Sequence, residues 1–200
     1  MSGKPTRVAV TRARNLAKVL LRERPNRWAH TMGVAARAAQ ITEAVEAADR
    51  DLLLAAVWLH DIGYGPALAH SGFHPLDAAW HLEREGWPRR LVGLVAHHSG
   101  ALFVATELRL DHALHTFPHE QSAVSDALIY ADQTTGPTGR PCTVEQRMTE
   151  MLTRHGPASA QARVHSVRGP YLLAAVTRVE QRLASNTPFD TDPDPDLLTR

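Results

Sequence analysis

The chain has one cysteine, Cys142, in 200 residues. An internal disulfide framework is therefore excluded, and a reducing compartment is expected. Net charge is only +1 at pH 7, so no strong field draws the chain to nucleic acid or to a membrane surface. Its arginines are scattered and form no basic stripe. No apolar run approaches the roughly 20 residues of a membrane span. Met1 to Arg14 carries charge but lacks the apolar core of a signal peptide. A soluble, cytoplasmic chain with no nucleic-acid or membrane partner is expected. Strand alternation and internal repeats are missing too. So are a Gly-x-Ser-x-Gly elbow and a Gly-Lys-Ser/Thr phosphate loop. The oligomeric state is left open, a homo-oligomer included.

What the sequence does hold is histidine, twelve in all. Histidine is the commonest metal ligand and the usual acid or base near neutral pH, so placement decides their meaning. The stretch Leu52 to Leu59 is apolar throughout and ends on His60-Asp61-Ile62-Gly63. With no polar face it reads as a helix buried on all sides. Asp49 or Asp51 would cap it, and Gly63 would end it in left-handed conformation. A buried Asp61 needs an ion pair or a metal.

The rest of the chain reads as helix and loop, which makes the fold class all-α. Residues 1–25 form an N-terminal helical segment, with Val8, Leu16, Val19 and Leu20 on its apolar side. Residues 26–184 form the main domain with C-terminal helices, and 185–200 a disordered, Asp-Pro-rich tail. Asn26 is placed as the cap of a helix running to about Ala48. Tyr64 to Phe73 is loop. His74-Pro75 opens a helix closed by Gly86, and Pro88 opens another that ends at His97-His98. Ala101 to Leu110 is a short helix and Asp111 to Gln121 an irregular connection. Ser122 to Asp132 is helical, Gly136 to Pro141 a turn, and Thr143 to Gln146 a capping-box start. Stretches near 158–166 and 171–184 complete the pattern.

Three helices share a design: apolar bodies that deliver His60-Asp61, His97-His98 and Asp132 at their C-terminal ends, where partial negative charge favours a cation. His30 and His74 add nitrogen donors. This nitrogen and oxygen set suits Fe, Mn, Co, Ni, Zn or Mg and argues against a sulfur-type zinc site. Taken alone, the doublet equally suits a helix-end hydrogen bond, His30 a core histidine, His74 a helix start and Asp132 a solvated helix end. His112, His115 and His119 read as solvated loop residues, His81, His155 and His165 as surface. Trp28, Trp58, Trp80 and Trp87 read as core, and Cys142 as inert.

The order His30, His60-Asp61, His74, His97 or His98, Asp132 resembles the HD-domain superfamily of metal-dependent phosphohydrolases. His60-Asp61-Ile62-Gly63 matches that family's frequent His-Asp-Ile-Gly form, and the resemblance spans roughly residues 26–150. It implies a helical bundle around a central site of one or two divalent ions. His30, His60, Asp61 and Asp132 would hold the first. Asp61 would bridge to a second held by His74 and one of His97 and His98. His98 is favoured because His98-Ser99-Gly100 is similar to a His-Thr segment of binuclear members related to dinucleoside-tetraphosphate hydrolases. Cyclic-dinucleotide phosphodiesterases of the superfamily carry a Gly-Tyr-Pro element that is missing here, so that substrate is not carried over.

The implied activity is hydrolysis of phosphate esters or phosphoanhydrides, small nucleotides among them, by metal-activated water. Arg27, Arg140 and Arg147 are the candidate phosphate donors. Protonation of the leaving group would fall to His70 or to whichever of His97 and His98 is free. The resemblance admits two other readings: a di-iron oxygenase acting on a small polar substrate, and a non-catalytic nucleotide-binding module.

Overall fold

A computed structural model describes residues 7–186. The loose start at 1–5, the side chain of Val8 and nearly all of the expected disordered tail lie outside the described residues. Within them the chain is all-α, with no strand and one isolated bridge between Thr135 and Pro141. No helix is long and apolar enough to cross a membrane.

The order is α1 (Arg7–Leu20), α2 (Pro25–Gln40), α3 (Arg50–Leu59), α4 (His74–Arg84), α5 (Arg89–His97), α6 (Ala101–Glu107), α7 (Asp111–Leu114), α8 (Ala123–Gln133), α9 (Val144–His155), α10 (Ala160–Arg163) and α11 (His165–Asn186). α3 is the central post. It packs against α1, α2, α5 and α8, with Leu53, Ala55, Ala56, Val57 and Leu59 wholly buried. Each fully buried leucine contributes roughly 1.5–3 kcal/mol, so the apolar run anchors the end that carries His60. All four tryptophans pack on the core, and Trp28 stacks on Trp58.

Several boundaries differ from the expectation. α2 stops at Gln40 and gives way to two 3-10 turns, Thr42–Ala44 and Ala47–Asp49. Ile41, Thr42 and Val45 are β-branched and favour helix poorly. Its start is set by Pro25 at the first helical position with Arg24 as cap, so Asn26 lies inside it. In α1 the buried stripe is Ala13, Ala17 and Leu21, while Val19 is exposed. Asp49 makes no side-chain cap bond to α3; it pairs with Arg90 instead. The connection after α6 holds one short helix, α7. Pro170 lies inside α11, which is therefore longer than its Gly169-Pro170 pair suggests.

Gly63 is not a left-handed cap. α3 ends at Leu59, and Gly63 sits in a 3-10 turn, Ile62–Tyr64. What requires glycine there is space: a Cβ would stand 2.0 Å from the His74 carbonyl oxygen. The expected capping box of α9 is present, Thr143 with Gln146, and α8 has an unforeseen one, Ser122 with Ser125.

Candidate metal centre

Five helices and their ends bring six ligand-type side chains together. His60, the C-cap of α3, donates from Nδ1 to the Val57 carbonyl at 2.8 Å. His98, just past α5, repeats the device: Nδ1 donates to Val95 oxygen at 2.7 Å. His30 in α2 donates from Nδ1 to Gly136 oxygen at 3.0 Å. A carbonyl only accepts, so Nδ1 carries the proton in all three. In His60 and His98 this leaves Nε2 with its lone pair, whereas His30 Nε2 faces a carboxylate oxygen, which also only accepts.

The three Nε2 atoms turn inward. That of His30 lies 3.0 Å from Asp132 Oδ1. That of His60 is buried with no hydrogen-bond partner. That of His98 stands 3.2 Å from His74 Nε2. Two sets result, His30/His60/Asp132 and Asp61/His74/His98, with the ligand atoms of each within 4.8 Å of one another.

Asp61 faces both sets. Its Oδ2 is 3.5 Å from His60 Nε2 and 3.8 Å from His30 Nε2, while its Oδ1 is 3.3 Å from His74 Nε2. Arg27 Nη1 donates to Oδ2 at 3.1 Å. The Arg27 guanidinium in turn lies over the Tyr64 ring, which stacks on His74.

The charges are set by burial and partners. Burial alone would raise Asp61, but His60 and Arg27 outweigh it and hold the carboxyl well below the usual range. Burial opposes ionisation of Asp132 too, and the His30 hydrogen bond with the nearby charges of His30 and Arg147 overcomes it. Burial, with His74 and His60 beside it, pushes His98 down to about 3. Burial pushes the Tyr64 hydroxyl up to about 12.

Asp132 is further fixed by its neighbours. Its Oδ2 accepts from Ser99 Oγ, and from Gln133 Nε2 at 2.8 Å. Ser99 has φ of 50° and Gly100 φ of 67°. Two successive left-handed residues reverse the chain between α5 and α6, and such strain in a non-glycine residue is held only by its surroundings. Here the hydroxyl of Ser99 holds Asp132 and its carbonyl accepts from Arg168 Nε at 2.9 Å.

The six residues therefore converge, and Arg27 and Arg147 line a cavity of about 70 Å³ beside them. Two expectations are corrected. His97 does not line this cavity: its Nε2 donates to Phe117 oxygen at 3.2 Å and its ring stacks on His119. Neighbouring side chains at a helix end point about 100° apart, and the backbone of His97, at ψ 8°, turns the two rings to different surroundings. Arg140 is exposed and outside the cavity, because the inner side of its turn is Gly139 pressed on the Ala29 carbonyl. His70 is exposed as well. His155, read as surface, lines the cavity, as do Tyr64, Arg154 and Arg168. No residue pattern in α9 to α11 marks them in advance.

Four imidazoles and two carboxylates, one imidazole nitrogen buried without a partner, fit a divalent metal. Cys142 is not in either set. The HD domain family model matches residues 27–135, a span that contains all six ligand-type residues. No curated protein and no solved structure matches the chain significantly.

Proposed function

The chain belongs to the HD-domain family, and from that premise we propose that it is a metal-dependent hydrolase of phosphate esters or phosphoanhydrides, small nucleotides among its candidate substrates. One observation carries the reading. Asp61 turns its two oxygens to two different histidine sets, beside a cavity lined by arginines.

His30, His60 and Asp132 would hold one divalent ion, His74 and His98 a second, and Asp61 would reach both. When bound, such ions lower the pKa of water toward neutrality and polarise phosphoryl oxygens. The chain supplies the rest. Backbone carbonyls on three Nδ1 atoms keep each ring in place and, in His60 and His98, leave Nε2 with its lone pair. Arg27 and Arg147 orient phosphoryl oxygens through charge-assisted hydrogen bonds. His155, rather than His70 or His97, is assigned to meet the leaving oxygen, as a hydrogen-bond donor and not as an acid. Arg154 donates to its Nε2 at 3.0 Å, so neutral His155 carries its proton on Nδ1 and can donate a hydrogen bond to a leaving oxygen.

The test is metal analysis of anaerobically purified protein, joined to a hydrolysis screen. Two ions per chain and turnover without oxygen are expected, both lost in Asp61→Ala. Turnover that survives in metal-free Asp61→Ala, or that needs oxygen, overturns the reading.

A further inference from the structure

Arg168 in α11 is a buried cation without an anion. It is 9% exposed. Its Nε is used by the Ser99 carbonyl, and its Nη1 is buried with no hydrogen-bond partner. Among the described residues no carboxylate lies within 4.0 Å of it, whereas Arg147 and Arg154 beside it share Glu150. A buried charge left unpaired is strongly unfavourable, and burial accordingly pushes this guanidinium down. The Nε of Arg147 is also buried without a partner. Both side chains line the cavity next to the two His/Asp sets. Arg147 has Glu150 and, at 3.8 Å, Asp132; Arg168 feels Asp132 only from farther off, and an anion from outside would meet its unused Nη1.

Two further facts narrow that anion. The cavity of about 70 Å³ is far smaller than the roughly 300–1,000 Å³ of pockets that enclose a whole ligand. Only a head group enters it. The wall also stays cationic after its own carboxylates are counted: Arg27, Arg147, Arg154 and Arg168 line it with Asp61 and Asp132, and Glu150 pairs with Arg147 and Arg154. A planar guanidinium matches a tetrahedral oxyanion through paired N–H donors. A terminal phosphoryl group carries two charges near neutral pH, an internal diester one.

We propose that Arg168, with Arg147 and Arg154, forms a receptor for a terminal phosphoryl dianion, so that the substrate is a phosphomonoester or terminal phosphoanhydride that enters head first. All three residues lie past residue 135, where the family match ends. Selectivity is thus set by α9 and α11, not by the matched core. The identity of the reaction rests on the hydrolase reading above; the binding of the dianion does not.

Inorganic phosphate is the probe, titrated into the full chain as purified and again after chelator treatment, by calorimetry and by thermal melting. Wild-type protein is expected to bind phosphate and to melt higher with it. Arg168→Gln should weaken binding at least tenfold and lose the rise in Tm, Arg154→Gln should weaken it severalfold, and the exposed control Arg22→Gln should match wild type. Phosphate binding that is absent in wild type, or undiminished in Arg168→Gln, overturns the receptor. Should Arg168→Gln fail to fold, Arg154→Gln decides: weakened binding supports the receptor and unchanged binding overturns it. Loss of metal and turnover requirements with arginine-dependent phosphate binding intact defeats the hydrolase reading alone. Metal-dependent turnover with phosphate binding indifferent to Arg168 defeats the receptor alone.

Discussion

His74 Nε2 stands 3.2 Å from His98 Nε2. His98 keeps its only ring proton on Nδ1, where Val95 oxygen accepts it, so it presents a lone pair to His74. Without an ion, His74 Nε2 can donate a proton to that lone pair; a bound cation would take the place of the proton. His74→Ala or His98→Ala is therefore expected to drop the metal content of anaerobically purified protein from two ions per chain to one, read by elemental analysis. The His30/His60/Asp132 set should keep its ion in both variants.

Gly63 carries the backbone of His74. A Cβ at this position would stand 2.0 Å from the His74 carbonyl oxygen and 2.9 Å from its Cα. Gly63→Ala should push the start of α4 away from Asp61. We expect a loss of about 1–3 kcal/mol in chemical denaturation, the usual range for overpacking. Metal content should fall as in His74→Ala, although no ligand has been replaced.

Arg27, itself part-buried, pairs with the buried Asp61 at 3.1 Å. Removing one partner of a buried pair typically costs about 3–5 kcal/mol. Arg27→Ala should approach the lower end of that range in chelated protein, because His60 and His74 still face Asp61. Added metal should shrink the deficit, since Asp61 then has another counter-charge. Denaturation curves with and without metal measure the difference.

Acid should weaken the metal-free fold in two stages. Burial, with His119 and His115 nearby and only the Phe117 and Leu114 carbonyls opposing, pushes His97 down to about 4. The unfolded chain therefore binds this proton first, near the ordinary value of about 6.5. Stability is complete above that pH and falls as pH drops from 6.5 toward 4. Asp61 and Asp132 are held low, so their share is present above their unfolded values and is lost as pH falls through their folded ones. His97→Phe should flatten the first stage by about one proton and leave the second. Stability measured by denaturant against pH reads both.

Much of this was legible before any coordinates. The apolar body of α3 announced a buried post, and ligand-type residues at helix ends announced a shared centre. The family order then linked His30 to Asp132, which touch across 102 positions. What could not be read depends on backbone angles and on packing between distant helices. His97 and His98 are adjacent and chemically alike; only their directions at the helix end separate them, one toward Phe117 and the other toward His74. Gly63 looks like a stop signal, yet its work is steric. Arg168 reaches the cavity from a position that falls between the two C-terminal stretches read as helical, and is helical only because α11 runs through Pro170; Arg140 looks well placed only until its turn is seen from the outside.

The bond from His30 to Gly136, 106 positions downstream, also has a consequence in time. At a synthesis rate of about 5–20 residues per second, roughly 5–20 s separate His30 from the residues that orient it. Through that interval a growing chain carries His30, then His60 and Asp61, then His74 and His98, with no Asp132 to complete the first set. An ion captured then meets imidazoles free to rotate and a carboxylate free to swing, a flexible chelator that ranks metals by affinity alone. Only once the turn at 136–141 has closed, with Gly139 seated on the Ala29 carbonyl, does rigid geometry have a say. An ion bound before that closure would be held by a looser set of the same ligands than one bound after it.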